Sequence, residues 1–146
     1  MIKNYTSTVP VARSIQHIEN RLVRYGAQEI LKTYDADKNL EGFCFIVRLQ
    51  GKEIPFKLPA RVANVEKVLK NEIRKPRPGT QERVREQAKR TAWKLVSDWV
   101  DIQLSLVELG QAELMEVLLP YVYNPATQET FFEQIKGNGY KLLEMK

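Results

Sequence analysis

One cysteine and one histidine, Cys44 and His17, are all that 146 residues contain. A lone cysteine cannot close an internal disulfide, and Cys44 lies inside the apolar run Phe43 to Val47, which reads as a buried small hydrophobe in an intracellular, cytoplasmic protein. With no second imidazole, a histidine-built metal site has no ligand set, and His17 sits on the polar face of a helical pattern without an acid at i+4. Glycine-rich phosphate loops, the nucleophile elbow, the zinc-protease motif and paired C-x-x-C are all missing, so nothing recommends an enzyme and no cofactor is expected. No apolar run approaches the ~20 residues that span a bilayer. The stretch Met1 to Val9 is polar and lacks a signal core, so no membrane partner is expected.

What the chain has in quantity is basic charge, unevenly placed. The overall balance is only +5, yet residues 61–94 carry eleven Lys and Arg against four Asp and Glu, whereas residues 95–146 carry three against eight. A concentrated basic block is the footprint of a surface for phosphate or another acidic partner. The 43% hydrophobic content, at this length, suits one folded domain with a single core, spanning 1–146.

Periodicity predicts an α+β fold: an N-terminal helix, a three-stranded antiparallel meander and a helical C-terminal half with one long central helix. The first helix, 9–26, follows from Ile15, Ile18, Leu22 and Tyr25, with Pro10 in its first turn and Gly26 at its stop. Its other face, with Arg13, His17, Asn20, Arg21 and Arg24, presents a basic stripe to solvent. The meander, 27–59, is read from the alternation of Phe43, Phe45, Val47 and Leu49 and of Ile54, Phe56 and Leu58 about a tight Gln50-Gly51 connection, and Pro55 places its strand at a sheet edge. Helices at 60–75, 80–110, 111–119 and 128–136 follow, the first ended by Pro76 and the second capped by Thr80 and stopped by Gly110. A final extended piece covers 140–145. In the long helix Trp99 falls deep in the apolar arc and Trp93 near its edge, while Arg85 and Lys89 take directions that later hold apolar residues, so the first three turns should project beyond the core.

Asp35-Ala36-Asp37-Lys38-Asn39 opens like a calcium loop, but Leu40 stands where the glycine is required and Ile46 where the bidentate glutamate is required, and an acidic turn accounts for the segment. Asp98 and Asp101 share a helix face, with Lys94 placed to neutralise the first. The candidate nucleic-acid-binding residues are Lys67, Lys70, Arg74, Lys75, Arg77, Arg83, Arg85, Lys89 and Arg90, flanked by Arg61 and Lys94. A soluble helical surface accounts for many of them, since Glu66, Glu72, Glu82 and Glu86 are interspersed. The stiff connector Lys75-Pro76-Arg77-Pro78-Gly79 favours function, because it displays charge without a structural need for it.

The phrases Thr6-Ser7-Thr8-Val9-Pro10-Val11, Phe56-Lys57-Leu58-Pro59, Ala92-Trp93 with Asp98-Trp99-Val100 and Gln103-Leu104, and Leu119-Pro120-Tyr121 resemble a family of small proteins encoded in phages, prophages and other mobile elements. That family has no assigned activity, so the resemblance implies a genetic context and no site residue. The element order also resembles the double-stranded RNA-binding domain and the core of single-strand annealing proteins, and order alone carries no function. The expectation is a non-enzymatic, nucleic-acid-associated accessory protein binding DNA or RNA phosphates; the alternative is an inhibitor or adaptor that binds a host defence or replication protein. A homodimer is expected through the long helix, because Gln103 falls within its apolar arc and needs a partner.

Overall fold

The structure, a computed structural model, describes residues 2–146. Its fold is α+β: α1 (Val11–Arg24), then β1 (Ala27–Tyr34), β2 (Leu40–Leu49) and β3 (Lys52–Lys57), then α2 (Val62–Asn71), α3 (Thr80–Glu108), α4 (Leu114–Leu118), β4 (Tyr123–Asn124), β5 (Glu129–Thr130) and α5 (Phe131–Gly137). The chain divides into two compact units, one of Met1–Leu22 with Ala60–Ile102 and one of Val23–Pro59 with Gln103–Lys146.

In the first unit, α1 buries Ile15, Ile18 and Leu22, the stripe its periodicity predicts. The buried line of α3 runs through Val84, Ala88, Thr91, Ala92, Trp93, Val96, Ser97 and Val100. Trp93 is 1% exposed and Trp99 is only half-buried, which reverses the expected order of the two tryptophans. The reason is that the buried face does not follow bulk. Counting bulky apolar side chains centres the arc on Trp99, whereas the residues that bury around Trp93 are Trp93, Val96, Ser97 and Val100, at i, i+3, i+4 and i+7, a face that includes the small polar Ser97 and leaves Trp99 to one side.

The first turns of α3 stay out of the core around Trp93, in keeping with the sequence, but they are not left bare. Val84 and Ala88 pack with Leu69 of α2 in a small separate core, closed by Ile2, Tyr5, Val62 and Val65. α2 stops at Asn71, with Glu72 as its C-cap, rather than at the residue before Pro76. Past Leu69 the remaining apolar residue, Ile73, has no neighbour to bury it and is exposed, so packing no longer supports helix there.

A strap formed by the N-terminal segment lies along α3. Thr91 Oγ1 donates to the Asn4 carbonyl at 2.8 Å, Gln87 Nε2 and Arg90 Nε donate to the Ser7 carbonyl at 3.1 and 3.2 Å, and Asn4 Nδ2 donates to Asp98 Oδ2 at 2.8 Å.

The second unit holds the antiparallel sheet in the order β1-β2-β3. Gln50 and Gly51 both have positive φ, 50° and 76°, the hairpin geometry whose twist matches the flanking strands. Phe45 pairs with Phe56 in register, and the two rings stack at 5.2 Å. Phe43, Phe45, Val47, Phe56 and Leu58 are buried on one face. Cys44 points to the other face and is half-buried rather than buried; burial pushes its thiol above the ordinary value, with the charge of Lys57 pulling the other way. Asp35 closes the β1–β2 turn by accepting from the Asp37 and Asn39 amides, each at 2.9 Å.

α3 ends at Glu108, two residues before the expected stop at Gly110, whose φ of 73° lets the Gln111 amide reach back to the Leu106 carbonyl at 2.9 Å. β4 and β5, of two residues each, are too short to leave a periodic signal and were not expected; Val122 beside them bridges to Phe56 on the outer edge of β3. α5 starts in a reciprocal capping box between Thr130 and Glu133. Within the final segment, Lys141–Leu143 form a 3-10 turn instead of extended chain.

Candidate nucleic-acid interface

α2, the connector 72–79 and the first turns of α3 form a helical hairpin held by the core of Leu69, Val84 and Ala88. The connector is set by its own chemistry. The Arg77 amide donates to Thr80 Oγ1 at 2.8 Å while the Thr80 amide donates to the Arg77 carbonyl at 3.0 Å, and Pro76 and Pro78 fix φ on either side of Arg77. Arg74, Lys75 and Arg77 are therefore displayed, exposed, on a stiff backbone.

The candidate cations separate into two groups. Five have partners that explain them. Glu66 forms ion pairs with both Lys70, at 3.3 Å, and Arg85, at 3.6 Å, so α2 and α3 are tied by an acid between two bases. That contact also gives a reason for Arg85 in the first turns of α3, where the helix macrodipole opposes it. Lys89 pairs with Glu86 at 2.7 Å, Arg90 donates to the Ser7 carbonyl and to Gln87 Oε1, and Lys94 pairs with Asp98 at 2.8 Å. Arg90, nominated from sequence as a phosphate ligand, works here as a clamp on the N-terminal strap.

The second group has no acid. Among the described residues, Arg61, Lys67, Arg74, Lys75 and Arg77 make no side-chain hydrogen bond or ion pair, and Arg83 reaches only the neutral Thr80 Oγ1, at 3.2 Å. All six are exposed. Lys67 and Lys70 line a shallow depression on α2 together with Ala63, Glu66 and Asn71.

Two acids of α3, Asp98 and Asp101, are spent internally. Asp98 receives Lys94, Asn4 and, at 3.9 Å, Lys3. Partial burial pushes its carboxyl up, but the hydrogen bonds from Lys94 and Asn4 and the charges of Lys94 and Lys3 outweigh this and hold it below the ordinary carboxylate value. Asp101 takes His17, whose Nε2 lies 2.8 Å from both carboxylate oxygens, and Arg21 Nε at 3.0 Å. The stripe on α1 is thus only partly free: His17 and Arg21 dock α1 to α3 through an acid 84 residues from the histidine, a distance at which no helical spacing rule can see it.

Comparison with family models, curated proteins and solved structures finds no match to this chain. Among the described residues, no helix is long and apolar enough to cross a membrane.

Proposed function

We propose that the chain is a non-enzymatic accessory protein of a phage or mobile element that attaches to nucleic acid through phosphates, using the hairpin of α2, the connector and α3. One observation carries the reading: six exposed cations, Arg61, Lys67, Arg74, Lys75, Arg77 and Arg83, have no acid partner on a hairpin whose other five bases all have partners. Like charges crowded on a stiff connector repel one another, and an anionic partner relieves that repulsion. The mobile-element context rests on the sequence phrases alone. If about five phosphates are neutralised, log K falls against log salt with a slope of roughly −3 to −5. A titration at low salt without binding to any single- or double-stranded DNA or RNA refutes the proposal.

A second reading, an inhibitor or adaptor directed at a host defence or replication protein, draws on a different surface. The final segment exposes Leu142 at 71%, Leu143 at 66% and Met145 at 96%, three apolar side chains near one another in sequence and suited to a protein partner. A stoichiometric complex with one purified host protein, lost on deleting 140–146 and formed without affinity for nucleic acid, selects this reading.

The homodimer proposal rests on α3, where Ile102 and Leu109 are exposed and Gln103 is half-buried. Light scattering at high micromolar concentration should give twice the 17.0 kDa chain mass; the monomer mass removes the dimer.

A further inference from the structure

We infer that the ligand of this hairpin is double-stranded nucleic acid, gripped by its phosphate backbone; the inference rests on the phosphate-binding reading above. The first observation is what stands beside the cations. Residues 60–90 contain no Phe, Tyr, Trp or His. The next aromatic along α3, Trp93, is buried, so it offers no face to a base, and the ring that reaches the hairpin from outside it, Tyr5, is engaged in packing against Leu69, Val84 and Ala88. Single strands are held by stacking their bases on exposed aromatic rings, worth about 1–3 kcal/mol per base, in addition to backbone charge. Here six unpaired cations stand on a hairpin that carries no aromatic ring of its own, and the one Tyr packed against it is held in its core.

The second observation is stiffness. α2 is clamped to α3 by Leu69, Val84 and Ala88 and by Glu66 between Lys70 and Arg85, and the connector is locked by the reciprocal Arg77–Thr80 hydrogen bonds. A preformed array of cations meets a preformed array of anions at little ordering cost, and a duplex supplies one phosphate charge per ~1.7 Å of axis on a stiff rod. A flexible strand must be ordered on the array and recovers nothing through its bases. The duplex also holds the denser counterion atmosphere, so the same contacts release more ions: the slope of log K against log salt is about −0.9 per neutralised phosphate for duplex DNA and about −0.7 for single strands.

The test is a fluorescence-anisotropy titration of the full chain with a labelled duplex of DNA, a labelled duplex of RNA and the component strands of each, over a series of salt concentrations. Either duplex should bind at least about tenfold more tightly than its own strands, with the steeper salt slope. The variant Arg74→Ala/Lys75→Ala/Arg77→Ala should lose that duplex affinity with an unchanged thermal midpoint; Lys75→Glu alone serves as the second variant if the triple one unfolds. Strands bound as tightly as the duplexes, or more tightly, overturn the duplex assignment while leaving the phosphate-binding function standing. No binding to any of these duplexes or strands overturns that function, and this inference with it.

Discussion

Two parts of one basic block, the connector region at 61–83 and the α3 segment at 85–94, differ little in sequence character, being rich in Lys and Arg with glutamates between them. Their fates in the fold are opposite. In the second, Arg85, Lys89, Arg90 and Lys94 each find an acid or a backbone carbonyl, and they tie α2, the N-terminal strap and α3 together. In the first, only Lys70 has an acid, and the rest face water. The contrast teaches that a run of charge in a sequence is not yet a charged surface: a base that acquires an internal acid presents little field outward, and the field that survives comes from the unpaired bases.

The largest effect expected lies beneath both parts. Trp93→Ala removes a fully buried ring from the α3 core and should cost about 3–5 kcal/mol in chemical denaturation. Trp99→Ala should cost clearly less, its ring being partly in water. Equal losses would return the helix phase to the one read from bulky residues.

Next comes the division between the two parts. Arg74→Ala/Lys75→Ala/Arg77→Ala should reduce the magnitude of the salt slope by about 2–3 with no change in thermal midpoint. Arg90→Ala should do the reverse, costing about 1–2 kcal/mol through the lost bonds to the Ser7 carbonyl and Gln87 while leaving the slope nearly intact. If Arg90→Ala flattens the slope as much as the connector variant does, the distinction between clamp and ligand fails.

The smallest effect is in acid. Because the Asp98 carboxyl is held below its ordinary value in the folded chain, the unfolded chain takes up this proton first as pH falls. Its stabilising contribution is complete above the unfolded carboxylate value near pH 4 and fades as pH drops through the lower folded value. Asp98→Asn should therefore lower stability at pH 6 and make the loss between about pH 5 and pH 3 shallower than in the parent, as read from urea midpoints. An unchanged acid limb would mean that Lys94, Asn4 and Lys3 do not act on this group.

Much of the fold is legible in the chain. Alternation in Phe43 to Leu49 and Ile54 to Leu58 specifies the strands, Gln50-Gly51 their turn, and Pro10, Thr80, Gly26 and Gly110 the ends of two helices within a residue or two. The short pair β4–β5 is not legible, since two residues cannot display a period. Nor is the early end of α2, which is decided by where Leu69 stops finding neighbours.

The candidate site is legible only in outline. The list of bases, the stiff connector and the missing catalytic and stacking residues are properties of the sequence alone. Which bases stay free was decided by tertiary structure: Asp98 meets Asn4, Asp101 meets His17, and the Ser7 carbonyl meets Arg90 across 94, 84 and 83 residues. The same holds for Trp93 over Trp99. Local sequence sets backbone conformation through spacings of two to four residues, whereas burial and ion pairing depend on which distant segment arrives at a surface, and that is settled only when the elements pack.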